Sequence, residues 1–137
     1  MINFLVITHG DFGSYAVEAA ETIVGEQKKG VCSVAITPRM TLPEARARVD
    51  RAVRELLSPD GLIILTDIPG GTPANICIPL VKDKPRVAVL SGLNLYMLIT
   101  GFSNRDLPFE DLTQKMLKNS ANSIVDLHKL FLSRTGP

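Results

Sequence analysis

A regular alternation of short apolar segments with amphipathic segments constrains the fold of this chain more than any other feature. Four segments are short, mostly apolar and rich in β-branched residues: Ile2–Thr8, Val31–Ile36, Gly61–Thr66 and Val87–Leu90. The first shows no strict alternation of polar and apolar residues, which is typical of a strand buried on both faces of a parallel sheet. The sequence therefore predicts four parallel strands.

The segments between and after these strands have the apolar period of helices. In Ser14–Val24 the apolar residues share one face, Glu18 and Glu21 point outward, and Gly25 ends the helix. Further helices are predicted after Thr41, with a capping box to Glu44; after Thr72-Pro73, with a bend at Pro79; over Leu93–Phe102; and over Phe109–Lys118. This order predicts an α/β fold, an open and mainly parallel sheet with helices on both faces.

Size and composition limit the kind of protein this can be. The 137 residues, 45% hydrophobic and 21% charged, are typical of one globular domain, which we assign to residues 1–137. A net charge of +1 predicts no nucleic-acid partner. No apolar run approaches the ~20 residues of a membrane span and no signal peptide is evident, so we expect a cytoplasmic protein without membrane insertion. Cys32 and Cys77 lack metal-binding spacing, so we expect two reduced, buried thiols.

Two side chains with chemical potential follow directly on predicted strands. His9 follows the first strand and Asp67 follows the third. In an open parallel sheet, ligands bind beyond the carboxyl ends of the strands, where the strand order reverses. If the first and third strands are neighbours, the Asp67 carboxylate lies opposite His9 and could hold one nitrogen of its ring.

The segment after the third strand, TDIPGGTPANIC, is typical of an anion-binding turn. Gly70 and Gly71 let the backbone turn sharply and approach a ligand closely. Thr72 is a natural N-cap with Pro73 at the first helical position, and free N–H groups at a helix start bind phosphate. A lone histidine or a lone glycine turn is usually structural, but together at adjacent strand ends they favour phosphoryl transfer to the imidazole of His9.

Three ordered segments give the chain a family resemblance. FLVITHG with the helix ending ETIVGEQ, then GLIILTDIPGGTPANI, then VAVLSGLNLYMLI resemble the three signatures of one family. That family is the IIA component of the mannose family of the bacterial phosphoenolpyruvate-dependent sugar phosphotransferase system. The spacing between the segments agrees with the family, and the resemblance covers essentially the whole chain.

The resemblance implies a role for each candidate residue. His9 aligns with the histidine that accepts phosphate from the histidine-containing phosphocarrier protein and passes it to a IIB component. Asp67 aligns with the carboxylate beside that histidine, and Thr72 aligns with the hydroxyl residue near the phosphate. Gly70, Gly71 and Thr72 would hold the phosphoryl oxygens, and neither a metal nor another cofactor is required.

Two other functions are compatible with parts of the sequence. A regulatory module that signals its phosphorylation state without moving sugar would use the same His9. An unrelated α/β enzyme or nucleotide binder is a weaker alternative, because the chain lacks a Walker A sequence, a GxGxxG after the first strand and a GxSxG elbow.

We expect the four parallel strands to follow the order 2-1-3-4, and the C-terminal segment to add a fifth. The resemblance implies a homodimer in which a last antiparallel strand is exchanged. The run Asn119–Ser123 is poor helix material, so Ile124, Val125 and Leu127 could then form a short strand on the sheet edge. The alternative is a helix over 122–132 that packs Ile124, Leu127 and Phe131 on its own subunit.

The remaining charged residues carry no assigned role. We expect Arg39, near the predicted site, to be solvated rather than bound to phosphate. The second-helix arginines are expected on a solvated face: Arg46, Arg48, Arg51 and Arg54. His128 lies outside all three signatures, and we expect it to be structural or exposed.

Overall fold

Four parallel strands form one open sheet within residues 1–135, the part of the chain that this computed structural model describes. The strands are β1 (Asn3–His9), β2 (Val31–Ile36), β3 (Leu62–Thr66) and β4 (Val87–Ser91), and their order is β2-β1-β3-β4. The predicted α/β architecture and strand order are confirmed. The predicted strand limits differ from the observed ones by no more than one residue at either end.

The register of the sheet brings the ends of β1 and β3 together. Ile7 on β1 lies opposite Thr66, the last residue of β3, so the residues that follow, Thr8 and Asp67, lie side by side. His9 is still part of β1, where it lies opposite Ile36 of β2. Neighbouring strands are about 4.8 Å apart, which puts the side chains at the two strand ends within mutual reach.

Helices cover both faces of this sheet. In chain order they are α1 (Phe12–Val24), α2 (Leu42–Leu56), α3 (Thr72–Val81), α4 (Leu95–Ser103), α5 (Phe109–Asn122) and α6 (Leu127–Thr135). Helices α1, α4 and α5 pack together on one face, and α2 and α3 pack on the other. Pro79 lies inside α3, and the helix continues past it to Val81.

The sheet separates two hydrophobic cores, because successive side chains of its central strands point to opposite faces. Phe4 and Val6 of β1 belong to the core under α1 and α4, whereas Leu5 and Ile7 belong to the core under α2 and α3. All four side chains are 0% exposed. This explains why β1 reads as a continuous apolar run, because each face of the strand meets a different helical layer.

A buried arginine binds residues at the amino-terminal end of the sheet. Arg105, in the connection between α4 and α5, donates from Nε to the Ile2 carbonyl at 2.9 Å and from Nη2 to Asn3 Oδ1 at 3.4 Å. Its Nη1 donates to Gln27 Oε1 at 3.3 Å, and the guanidinium lies 5.8 Å from the centroid of the Phe4 ring. Burial lowers the pKa of Arg105, although the Coulombic effect of nearby Asp106 raises it.

Helix α5 is longer than the sequence predicts, because tertiary contacts override local propensity. It continues through Ser120 to Asn122. Asn94 donates from Nδ2 to the Ser120 carbonyl at 3.1 Å, and the Asn119 amide donates to Thr100 Oγ1 at 3.4 Å. These bonds tie the poor helix formers to α4 and to the loop before it, so the break falls after Asn122.

The C-terminal segment forms neither of the two expected arrangements. Residues 124–126 have no regular structure, and the chain then continues as α6 rather than as a strand. Ile124 is 79% exposed, and Leu127 and Phe131 are also exposed, so these side chains do not pack into the core of their own chain. An exchanged strand needs a second copy of the chain, and it therefore stays a prediction.

The expectation that both cysteines are buried is wrong for one of them. Cys77, in α3, is a free thiol in the core, and burial raises its pKa to about 12. Cys32 is a free thiol exposed on β2, because β2 is an edge strand with no neighbour on its outer side. Among the described residues no helix is long and apolar enough to cross a membrane.

Candidate functional site

His9 and Asp67 form a pair at the carboxyl end of the sheet. Nδ1 of His9 lies 2.9 Å from Oδ2 of Asp67. The histidine side chain is 50% exposed, whereas the carboxylate side chain is 10% exposed. The contact with Asp67 thus fixes the orientation of the ring through Nδ1, and Nε2 is the ring nitrogen that Asp67 does not bind. The predicted juxtaposition of the two residues is confirmed.

Asp67 is held by more than the ring. Oδ2 also accepts a hydrogen bond from the backbone N–H of His9 at 2.9 Å, and Oδ1 accepts one from the N–H of Ile68 at 3.0 Å. Burial acts to raise the pKa of Asp67, but the hydrogen bonds from His9 outweigh it and the net pKa lies below the usual value. The group is therefore an ionised acceptor near neutral pH, and the ring proton of neutral His9 is placed on Nδ1.

The turn that follows His9 is built by small residues and one buried hydroxyl. Thr8 is buried, and its Oγ1 accepts a hydrogen bond from the N–H of Gly13 at 2.8 Å. A Cβ at Gly13 would lie 2.8 Å from Cγ1 of Val6, so only glycine lets α1 start this close to β1. Gly10 has a φ of +59° and donates its N–H to the Ile36 carbonyl. These contacts fix the direction in which the chain leaves the sheet after His9.

The glycine turn lies directly against the histidine ring. A Cβ placed on Gly71 would be 3.1 Å from Cε1 of His9. Gly70 has a φ of +77°, a left-handed conformation that favours glycine. The carbonyl of Gly70 accepts a hydrogen bond from Nδ2 of Asn75 at 3.1 Å, which holds the turn onto the first turn of α3. The predicted meeting of His9 with this turn is therefore found.

Thr72 is not the N-cap that the sequence predicts. The N-cap of α3 is Gly71, and Thr72 is the first helical residue. The extended conformation of Gly71, with φ −77° and ψ 170°, moves the helix start one residue earlier. The Thr72 hydroxyl is therefore not committed to capping the helix. Thr72 and His9 line one groove, and its apolar walls, among them Pro38, Met40 and Leu42, belong to the connection between β2 and α2 and to the start of α2.

The structure leaves other candidates outside the site. His128 is exposed on α6, as expected. Arg39 is exposed, and the exposed Arg51 and Arg54 lie within ion-pair distance of acidic side chains one helical turn away. Within residues 1–135, no group of three or more histidine, cysteine or acidic side chains could hold a metal ion.

Sequence reasoning missed two residues that build the site. Thr8 was assigned only as the last residue of the first strand, and Asn75, in the helix predicted after Thr72-Pro73, was given no role. The available clue for Asn75 was its place five residues after Gly70, within reach of the turn's carbonyls. The role of Thr8 depends on the path of α1 after the strand, which local sequence does not specify.

Comparison with known proteins places the chain in a defined group. A family model described as "PTS system fructose IIA component" matches residues 3–121. The chain is 26% identical over 124 residues to the PTS system fructose-specific EIIA component of Bacillus subtilis, covering 90% of this chain and 84% of that protein. It is 28% identical over 105 residues to the mannose-specific EIIAB component of Escherichia coli, covering 77% of this chain and 32% of that longer protein.

Solved structures agree with the sequence comparison. The phosphotransferase system component EIIA from Streptococcus agalactiae superposes with a TM-score of 0.83 at 30% identity, over 94% of this chain and 99% of that chain. The fold and these matches define a phosphoryl carrier component of a sugar phosphotransferase system. Within that class, the chain belongs to the mannose-type EIIA family.

The hydrogen bonds of Asp67 predict a pH-dependent contribution to stability. Because the folded-state pKa of Asp67 is depressed, the stabilisation is fully present above its unfolded-state pKa, near 3.8, and is lost as the pH falls through the folded-state value. We expect the free-energy difference between wild type and Asp67→Ala to be constant near neutrality and to shrink at acid pH. Urea unfolding from neutral pH to about pH 2 measures it.

His9→Ala is the control for that titration, since it keeps the backbone N–H that donates to Asp67. Its stability loss at acid pH should be smaller than that of wild type but larger than that of Asp67→Ala. A difference between wild type and Asp67→Ala that did not change with pH would contradict the assigned role of the carboxylate charge.

Proposed function

We propose that Nε2 of His9 accepts a phosphoryl group from the histidine-containing phosphocarrier protein and passes it to a IIB component in the cytoplasm. The observation that carries this proposal is the 2.9 Å contact between Nδ1 of His9 and Oδ2 of Asp67. This contact places the proton of the neutral ring on the inner nitrogen, Nδ1. The lone pair of Nε2 then lies on the outer, half-exposed side of the ring. A nucleophile at this position can be reached by a partner protein.

The chemistry requires no proton transfer between the two proteins. The donor phosphohistidine carries a proton on the ring nitrogen that does not hold phosphorus. Its N–P bond breaks as the bond from phosphorus to Nε2 forms, and the donor ring keeps that proton and leaves as neutral imidazole. His9 keeps its proton on Nδ1, so its ring gains positive charge as it takes the phosphoryl group. The ionised Asp67, at hydrogen-bond distance, stabilises that charge through a charge-assisted bond.

The turn from Gly70 to Thr72 supplies the positive surface for the phosphoryl oxygens. The first N–H groups of α3 have no partner within the helix, and they carry the positive end of its dipole. The Thr72 hydroxyl adds one neutral donor, and Gly71 keeps the space against the ring open. In phosphoryl transfer, positioning and electrostatic stabilisation of this kind account for most of the catalysis.

His9 is expected to be the only phosphate acceptor, because it alone combines an exposed ring nitrogen with the Asp67 bond. Incubation with enzyme I, the phosphocarrier protein and phosphoenolpyruvate should add one phosphate by mass, labile in acid and stable in base. His9→Ala should take up none. His128→Ala is the matched control and should label like wild type.

Phosphate uptake by His9→Ala would contradict this proposal. The second half of the proposal is tested by adding a IIB component to the purified phosphorylated protein and measuring loss of the label. Retention of the label in the presence of every IIB component encoded with it would favour the regulatory alternative, in which the same phosphorylated His9 serves as a signal.

Asp67→Ala should slow phosphoryl transfer more than Thr72→Val does. Removing the group that orients a catalytic imidazole costs about 10²-fold or more, by analogy with hydrolase triads. Loss of one charge-assisted hydroxyl contact costs about 1.5–3 kcal/mol, and the N–H groups of α3 remain. Single-turnover transfer rates provide the measurement, with circular dichroism at neutral pH to verify folding. Equal rates in Asp67→Ala and wild type would make the carboxylate purely structural.

We further propose that the protein is a homodimer that shares its C-terminal segment. The support is the run of exposed apolar side chains that ends the described chain: Ile124, Val125, Leu127, Leu130, Phe131 and Leu132. Apolar surface of this extent usually marks an interface. Strand β4 is an edge strand whose outer side could accept an antiparallel strand from a second copy.

Light scattering after size exclusion should give twice the chain mass of 14.9 kDa. Deletion of residues 124–137 removes the apolar run and should abolish the dimer. The truncated protein should be either a monomer or an aggregate that forms through the exposed edge of the sheet. A monomer of the full chain at micromolar concentration, or a soluble dimer of the truncated one, would contradict the proposed exchange.

A further inference from the structure

Two buried hydroxyl groups lie side by side at the carboxyl end of the sheet. Thr66 is the last residue of β3, and it lies opposite Ser91, the last residue of β4. Ile7, the partner of Thr66 on β1, belongs to the core under α2 and α3. Because register partners in a parallel sheet point to the same face, both hydroxyls face that layer of helices. Thr66 is 0% exposed, and the hydroxyl oxygens of both residues are buried.

Neither hydroxyl oxygen has a hydrogen-bond partner among the described residues. The positions two residues earlier on the same face are apolar, Ile64 on β3 and Val89 on β4. A buried hydroxyl without a partner destabilises the folded state, and native proteins leave few such groups unpaired. A polar group that binds both hydroxyls would remove this cost.

The spacing of the strands fits one water molecule between the two hydroxyls. Neighbouring strands are about 4.8 Å apart, and the hydroxyls of Thr66 and Ser91 form no direct hydrogen bond. An oxygen atom about 2.8 Å from each of two hydroxyls bridges a gap of up to about 5.6 Å. Buried waters in proteins typically bind polar groups that have no other partner.

We propose that Thr66 and Ser91 bind a buried water molecule, and that this water positions the strand end that carries Asp67. Thr66 directly precedes Asp67, and its carbonyl accepts a hydrogen bond from the N–H of Leu93, in the loop after β4, at 3.1 Å. The bonds of the Asp67 carboxylate with His9 hold the end of β3 on the side of β1. The bridged hydroxyls hold the same strand end on the side of β4.

A stability cycle tests whether the two hydroxyls share one ligand. Thr66→Val and Ser91→Ala each remove one hydroxyl and leave the opposite hydroxyl without its bridge. We expect each to raise the unfolding equilibrium constant about fivefold or more, measured by urea unfolding at neutral pH. The double variant should cost less than the two single changes combined, because no hydroxyl remains unpaired. A more stable Thr66→Val would show that the hydroxyl has no partner and would overturn the inference.

A high-resolution crystal structure of the wild-type protein locates the ligand directly. We expect an ordered water oxygen about 2.8 Å from Oγ1 of Thr66 and from Oγ of Ser91. The same water should be absent from a structure of the double variant. A direct hydrogen bond between the two hydroxyls, or apolar atoms in the space between them, would overturn the water site.

The rate of His9 labelling tests the positioning role, and this part of the inference rests on the proposed function. Thr66→Val and Ser91→Ala should lower kcat about fivefold, because Asp67 and the ring are less well aligned. The KM for the phosphorylated donor should stay within about twofold, since neither hydroxyl lies on the surface. Thr66→Ser should restore kcat, because it keeps the hydroxyl.

The matched control is Ser103→Ala. Ser103 is exposed at the end of α4 and lines a cavity with Arg105, at the opposite end of the strands from His9. This variant also removes one hydroxyl, and it should leave kcat, KM and the urea midpoint unchanged.

The measurements separate the positioning role from the proposed function. An unchanged kcat in both single variants, while wild type labels normally, would overturn the positioning role and leave phosphorylation of His9 intact. Absence of labelling in wild type would overturn the proposed function and the positioning role together. The stability cycle and the crystal structure would still decide whether Thr66 and Ser91 share a water molecule.

Discussion

The Asp67 carboxylate is the point on which the functional end of the molecule depends. It accepts hydrogen bonds from the backbone of His9, from the ring of His9 and from the backbone of Ile68. One side chain therefore joins the ends of β1 and β3, sets the direction of the chain after each strand, and orients the imidazole. Because the backbone bonds do not involve the ring, the carboxylate keeps its place whatever the ring carries. In the proposed transfer, the surroundings of the positively charged ring would thus be arranged beforehand, which is how enzymes avoid reorganisation during a reaction.

The parallel sheet makes this arrangement possible. Its register places Thr8 and Asp67 side by side, and every connection from a strand to the next helix begins at the same edge of the sheet. The polar surface of the Gly70–Thr72 turn and the apolar groove beyond His9 are then neighbours without being close in sequence. The division of β1 between two cores anchors that edge, because alternate side chains are fixed by different helical layers.

The sequence predicts most of this structure where local pattern and global fold agree. The four strands, their order and the approach of Asp67 to His9 follow from apolar period, strand ends and family resemblance. The prediction was wrong where tertiary contacts decide. Asn94 and Asn119 hold α5 helical through residues of poor propensity, and the backbone of Gly71 places the helix start before Thr72. The groove was not predicted, since Pro38 and Leu42 become a surface only when α2 is packed beside His9.

The buried Arg105 lies at the opposite end of the strands from His9, and this separation has an evolutionary consequence. The contacts of its guanidinium with Ile2, Asn3 and Gln27 secure the start of β1 without involving any residue of the candidate site. Mutations around His9, the glycine turn and the groove can accumulate without disturbing that anchor. A scaffold divided in this way can change its partners while conserving its foldability, and new specificities can arise from drift at one end of the sheet.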